Sequence, residues 1–176
     1  MGKAACFAVP ELRFLVRIKA IFALVKDGYR IGVTSNSHRA ISLLLQEAGR
    51  ACREGKIAFT GASVNGQEDE VPDLDGFEKV ATGAELLARS VLPQIVGGTA
   101  WVFSREDAEG RFDFLFVDEA GQVSVANLVG MAASARNFVL LGDQRQLNQP
   151  RSRLPSRRKW VLDSRVPVGR HTHRSS

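Results

Sequence analysis

Cysteine is nearly absent. Cys6 and Cys52 are the two in 176 residues, and they form no Cys-x-x-Cys pair. That argues against a disulfide framework or a zinc ribbon and fits a reducing, cytoplasmic setting. Histidine is as scarce. His38 stands alone, and His171 and His173 flank a threonine with no acid or cysteine nearby, so no metal cluster is expected. Long apolar runs are missing too. The most apolar N-terminal stretch, AACFAVPELRFLVRIKAIFALV, is interrupted by Pro10, Glu11, Arg13, Arg17 and Lys19. It is too charged for a membrane span and has the wrong pattern for a signal peptide.

An even basic surface is also lacking, despite a net charge of +5. Residues 151–176 hold eight of the 24 Lys/Arg and one of the 19 acids, Asp163, which makes that stretch +7. Sixteen bases and 18 acids remain for residues 1–150, a body of −2. The basic balance that ordinarily points to nucleic acid is therefore confined to the tail. RSRLPSRRKWVLDSRVPVGRHTHRSS has no helical or strand period and few large apolar residues, so a solvated, disordered tail is expected rather than a dedicated binding arm.

The body alternates between two patterns. β-rich runs occur at YRIGVT (29–34), KIAFT (56–60), QIVGGT (94–99), FDFLFV (112–117) and NFVLL (137–141). Helical stretches are expected at 37–53, 83–92 and 123–135. In the first, Ala40, Ile41, Leu44, Leu45 and Ala48 recur at helical spacing. IKAIFALVKDG (18–28) also reads as a helix. The acidic NGQEDEVPDLDG (65–76) reads as a surface loop. Strands alternating with helices of this length predict βαβ units, a parallel sheet and an α/β fold.

Parallel sheets bind ligands at the carboxyl ends of their strands. Four of the runs deliver polar residues there: Ser35-Asn36-Ser37-His38, Thr99-Ala100-Trp101, Asp118 to Gln122, and Asp143 to Gln146. Each ending has a local explanation as a cap or turn, but four together favour a shared site. FLFVDEAGQV, 114–123, carries the sharpest signal. A greasy strand ending on two acids is the Walker B pattern. Its first carboxylate holds Mg²⁺ and its second can deprotonate an attacking water. The competing reading is that Asp118 and Glu119 simply begin a helix, where acids suit the dipole.

DEAGQ followed some twenty residues later by a strand and GDQRQL is a far more specific combination. The segment from about Ala20 to Pro150 resembles the first RecA-like domain of superfamily 1 helicases, in the Upf1/Dna2-like branch, and is most like bacterial members fused to a RecB-like nuclease. GVTSNSH (32–38) resembles motif Ia, GGTAW (97–101) motif Ic, DEAGQ (118–122) motif II and GDQRQL (142–147) motif III. The resemblance implies a RecA-like P-loop NTPase fold and ATP with Mg²⁺ as cofactors. It implies Asp118 as the Mg²⁺ ligand, Glu119 as the catalytic base and Gln146 as the sensor of the γ-phosphate. Asp143 and Gln122 join Asp118 among the cofactor contacts. Ser35, Asn36 and Thr99 would touch the backbone of single-stranded DNA or RNA, a sequence-independent contact suited to a motor. The implied partners are that strand, a second RecA-like domain and a RecB-like nuclease domain, with no membrane. Asn36 and Ser37 could equally cap the helix that follows. Trp101 reads more readily as core or interdomain packing than as a base-stacking residue.

The departures are as informative. A phosphate-cradling loop ends in Gly-Lys-Ser/Thr. Here Gly2-Lys3 precedes Ala4 and Gly55-Lys56 precedes Ile57. Motifs IV to VI are not found after Pro150. The expected organisation is an atypical segment at 1–17, a partial RecA-like domain at 18–150 and a basic tail at 151–176. The composition of both ends, against an intact middle, favours ends read out of frame over a specialised small protein that has lost ATP hydrolysis. The expected function is an incomplete ATP-dependent DNA/RNA helicase domain, inactive alone. The alternatives are a non-catalytic nucleic-acid or partner-binding module and an inert gene remnant.

Overall fold

A computed structural model describes residues 10–64 and 75–142. In chain order its main elements are α1 (Pro10–Lys26), β1 (Ile31–Thr34), α2 (His38–Glu54), β2 (Gly61–Val64), β3 (Phe77–Val80), α3 (Gly83–Leu87), β4 (Ile95–Gly97), α4 (Ala100–Phe103), β5 (Phe112–Val117), α5 (Val125–Met131) and β6 (Ala135–Leu140). Short 3₁₀ turns lie at Glu106–Ala108 and Ala120–Gln122. The six strands form one sheet in the order β3-β2-β4-β1-β5-β6, and every pairing is parallel. This is the expected α/β, RecA-like arrangement. No helix among the described residues is long and apolar enough to cross a membrane.

Helices cover both faces, as a parallel sheet requires. On one face α1 supplies Ile18, Ile21 and Val25, and α2 supplies Ile41, Leu44, Leu45, Ala48 and Cys52, against Ile31, Val33, Ile95 and Phe116. Burial pushes the Cys52 thiol pKa up. On the other face Leu86, Leu87, Val102, Phe103 and Met131 meet Val96, Phe112, Leu115 and Val117. Gly32 marks how tightly that layer sits. A Cβ there would stand 2.6 Å from the Phe103 ring and 2.7 Å from Leu115.

Local sequence explains the boundaries. Pro10 opens α1 at the first helical position, where a missing N–H is harmless. The helix runs unbroken through Arg17 and Ile18, across the expected segment border. Ser37 caps α2, accepting from Ala40 N at 3.2 Å. At the other end Lys56 N donates to Arg53 O and Ile57 N to Cys52 O, a Schellman closure with Lys56 at φ 55°.

β5 matches its expected span. β1 and β4 are shorter than their runs, and β6 starts two residues early. The helix expected at 83–92 ends at Leu87, and that expected over 123–135 is confined to Val125–Met131. KIAFT is not a strand. Residues 57–60 are irregular and the strand is the following Gly61–Val64. β3, at the end of the acidic stretch, was not anticipated. Residues 65–74, the tail 151–176 and Cys6 lie outside the described residues.

Two outcomes follow from this architecture. Lys56 holds a left-handed conformation that a β-carbon disfavours, so Lys56→Gly should raise stability by about 0.5–1 kcal/mol. A urea midpoint that stays put or falls would show that the Schellman closure does not persist in solution. β6 is a sheet edge among the described residues, paired only through β5. Its amides at Phe138–Leu140 should exchange hydrogen much faster than those of the central β1. Equal, cooperative protection of both strands would refute an open edge.

Candidate functional site

β1 leaves the sheet into α2 on one face. Its two neighbours, β4 and β5, leave into α4 and α5 on the other. The chain therefore parts on both sides of the β1 exit, the geometry that opens a crevice at the carboxyl edge of a parallel sheet. The motif residues stand along that edge.

Register fixes who stands beside whom. Thr34 pairs with Val117, and Asp118 N donates to Thr34 O at 2.8 Å, so Ser35 and Asp118 follow side by side. Ser35 is 6% exposed, and its Oγ has no hydrogen-bond partner among the described residues. Asn36 is exposed and donates from Nδ2 to Gln122 Oε1 at 3.4 Å, which ties the β1 exit to the turn after β5. The cap of α2 is Ser37, so of the two cap candidates Asn36 is the one turned to another element. Thr99 is the half-buried N-cap residue of α4 and makes no capping bond with its side chain. Beside it Gly98 N donates to Val33 O at 3.1 Å.

The two acids differ. Asp118 is 8% exposed. Its Oδ1 accepts from Glu119 N at 2.9 Å and meets Arg17 Nη1 at 2.6 Å. Glu119 is half-buried and adopts φ 51°, ψ 38°, a left-handed conformation that strains a residue bearing a β-carbon by about 1 kcal/mol. The bond from its N–H to Asp118 and the one from Gln122 N to Glu119 O at 2.8 Å hold the turn in place. The end of β6 closes on the same turn. Ala120 N donates to Leu141 O at 2.8 Å, and a Cβ at Gly142 would sit 3.4 Å from Gly121 N.

The structure thus brings Ser35, Asn36, Asp118, Glu119 and Gln122 to one edge, with Thr99 one strand further along. It carries β6 to the same edge as far as Gly142. Asp143 and Gln146 lie outside the described residues. Trp101 is 82% exposed, so the core reading of that residue is corrected: its ring stands in solvent on a four-residue helix.

Arg17 is the member that sequence reasoning missed. A signal was present. Ile18, Ile21 and Val25 form the buried stripe of α1, and Arg17 stands one turn before Ile21, where a charge needs a partner. Its guanidinium occupies the carboxylate expected to receive Mg²⁺. Among the described residues no group of three or more His, Cys, Asp or Glu side chains could hold a metal ion. With Oδ1 of Asp118 held by both Arg17 and the Glu119 N–H, the described residues do not offer that oxygen free to a Mg²⁺–nucleotide group.

No family model matches the sequence. The chain is similar to the DNA replication ATP-dependent helicase/nuclease DNA2 of Bos taurus, 31% identical over 147 residues, which covers 76% of this chain and 12% of that protein. It is similar to the protein of the same name from Mus musculus, 30% identical over 134 residues, 68% of this chain and 12% of the relative. The chain spans about an eighth of the length of these relatives. With its parallel sheet and its motif residues along one edge, it belongs to the superfamily 1 helicases, in the Upf1/Dna2-like branch.

Proposed function

We propose that the chain is part of the first RecA-like domain of an ATP-driven motor acting on DNA, and that the 176-residue polypeptide has no ATPase activity of its own. The observation that carries this reading is the convergence of the β1, β4, β5 and β6 exits on one edge. Within the parent motor we assign Glu119 and Gln146 to nucleotide hydrolysis, Asp143 and Gln122 to nucleotide contact, and Ser35, Asn36 and Thr99 to the backbone of a single strand. A second RecA-like domain and a nuclease domain are its proposed neighbours in that motor. A second reading, a non-catalytic nucleic-acid-binding module, is favoured by the Arg17–Asp118 ion pair, which leaves the first Walker B acid already engaged.

An assay of ATP hydrolysis with and without single-stranded DNA tests the first claim. The sequence contains no Gly-Lys-Ser/Thr to cradle the phosphates. An arginine finger from a second domain contributes about 10³–10⁵ in rate in related phosphoryl-transfer systems. The chain should therefore stay at background, and Glu119→Gln should change nothing. Robust turnover abolished by Glu119→Gln would sink the proposal.

Binding is tested by fluorescence anisotropy with a single-stranded oligonucleotide across a salt series. Asn36→Ala and Thr99→Ala should each weaken binding by about 1 kcal/mol, alike for different sequences. Binding unaffected by either variant would assign the affinity to the basic 151–176 stretch and remove these two residues from the interface.

A further inference from the structure

We propose that Arg17 is the resident cation of the sheet edge: its guanidinium fills the cation position at Asp118, and a divalent metal ion reaches that carboxylate only by displacing it. The contact is short, 2.6 Å between Nη1 and Oδ1, and it is sheltered, with the two side chains 18% and 11% exposed. A charge-assisted bond of this length is among the stronger contacts a carboxylate makes, and shelter from solvent limits screening by salt. The same Oδ1 accepts the Glu119 N–H at 2.9 Å. One oxygen of the carboxylate is therefore satisfied twice without a metal.

Placement makes the pairing structural rather than incidental. Phe116 and Val33 lie in the core layer under α1 and α2. Side chains alternate across a strand, so Asp118 and Ser35, two residues further on, continue on that same face. Arg17 reaches down from α1, one turn before the buried Ile21. α1 is thus pinned to the end of β5 at the point where the Walker B strand stops. Mg²⁺ demands near-octahedral oxygen donors and gives up water reluctantly. A lone carboxylate that already holds a guanidinium is a poor competitor for it. Glu119 follows in a left-handed bend, and no group of three or more His, Cys, Asp or Glu side chains that could hold a metal ion occurs among the described residues. This assignment stands on geometry alone and holds whether or not the parent protein is a helicase.

Mn²⁺ is the probe, because its binding is read directly from water-proton relaxation. The full 176-residue chain is titrated as wild type, Arg17→Gln, Arg17→Lys and the double variant Arg17→Gln/Asp118→Asn, with circular dichroism confirming the fold of each. Losing the competing cation should raise Mn²⁺ affinity by about tenfold or more in Arg17→Gln. The gain should vanish in the double variant, and Arg17→Lys, which keeps the positive charge, should stay near wild type. Equal Mn²⁺ binding by wild type and Arg17→Gln, whether strong in both or missing in both, overturns the proposal. If Arg17→Gln does not fold, wild type and Asp118→Asn decide the matter. Their Mn²⁺ titrations should coincide, and binding by the wild type that Asp118→Asn removes overturns it.

Discussion

The parallel ladder between β1 and β5 is the constraint on which the rest depends. Ile31, Gly32, Val33 and Thr34 stand opposite Phe114, Leu115, Phe116 and Val117. A slip of one residue would turn Phe116 from the α1–α2 layer to the other face and separate Asp118 from Ser35. Gly32 makes such a slip costly. Phe103 and Leu115 fill the space its missing side chain leaves, and Gly32 is the one glycine of β1, so a shifted register would bring a side chain into that space. Once the register is fixed, every later exit falls at a determined height on the edge. The turn at Ala120–Gln122 then meets both Asn36 and the end of β6.

Charge at that edge follows from burial. A carboxylate at 8% exposure has lost most of its water and needs a replacement. The Glu119 N–H supplies one donor and Arg17 supplies charge. Removing either member of such a sheltered pair leaves the other uncompensated, which costs on the order of 3 kcal/mol in comparable sites. The ion pair therefore adds one polar tie between α1 and the end of β5 to the apolar packing of Ile18, Ile21 and Val25. The surface pair of Arg89 with Glu78 is different. Its bidentate hydrogen bonds, 2.7 Å each, hold the Glu78 carboxyl pKa below its usual range, yet both side chains remain partly in water. A pair of that kind contributes little to stability.

What could be read in advance depended on how far burial and periodicity agreed. FDFLFV is apolar at five of six positions and buried on both faces, so its span was legible to the residue. α2 was legible for the same reason, since its apolar stripe is the one the core uses. β2 was not. Its residues, Gly-Ala-Ser-Val, are small and score poorly as a strand, whereas KIAFT beside them looks the better candidate. The reason at its first position is spatial: the Phe77 ring lies over Gly61, where a Cβ would collide with it. β3 was hidden by its charges. Of the site, the acids and the polar exits were legible from strand ends. Arg17 was not, because its partner lies a hundred residues away and only the fold brings them together.

Among the described residues the sheet ends differently at its two edges. β3 is four residues long, exposes Glu78 and Lys79, and is clamped through Glu78 to Arg89. Short length and edge charges are devices that discourage a further strand. β6 is less protected, with one exposed charge, Arg136. It is six residues long, its Phe138 and Val139 are half-buried, and Leu140 is 56% exposed. Its end is also the one that closes on the Asp118–Gln122 turn through Leu141 and Gly142. A strand arriving at β3 would meet charge and a short ladder. One arriving at β6 would gain a longer ladder and apolar partners, and would stand next to the edge that carries Glu119. Among the described residues, the unpaired side of β6 and the edge that carries Asp118 and Glu119 thus meet at a single corner, and any segment that pairs with β6 bears directly on the conformation of the acid turn.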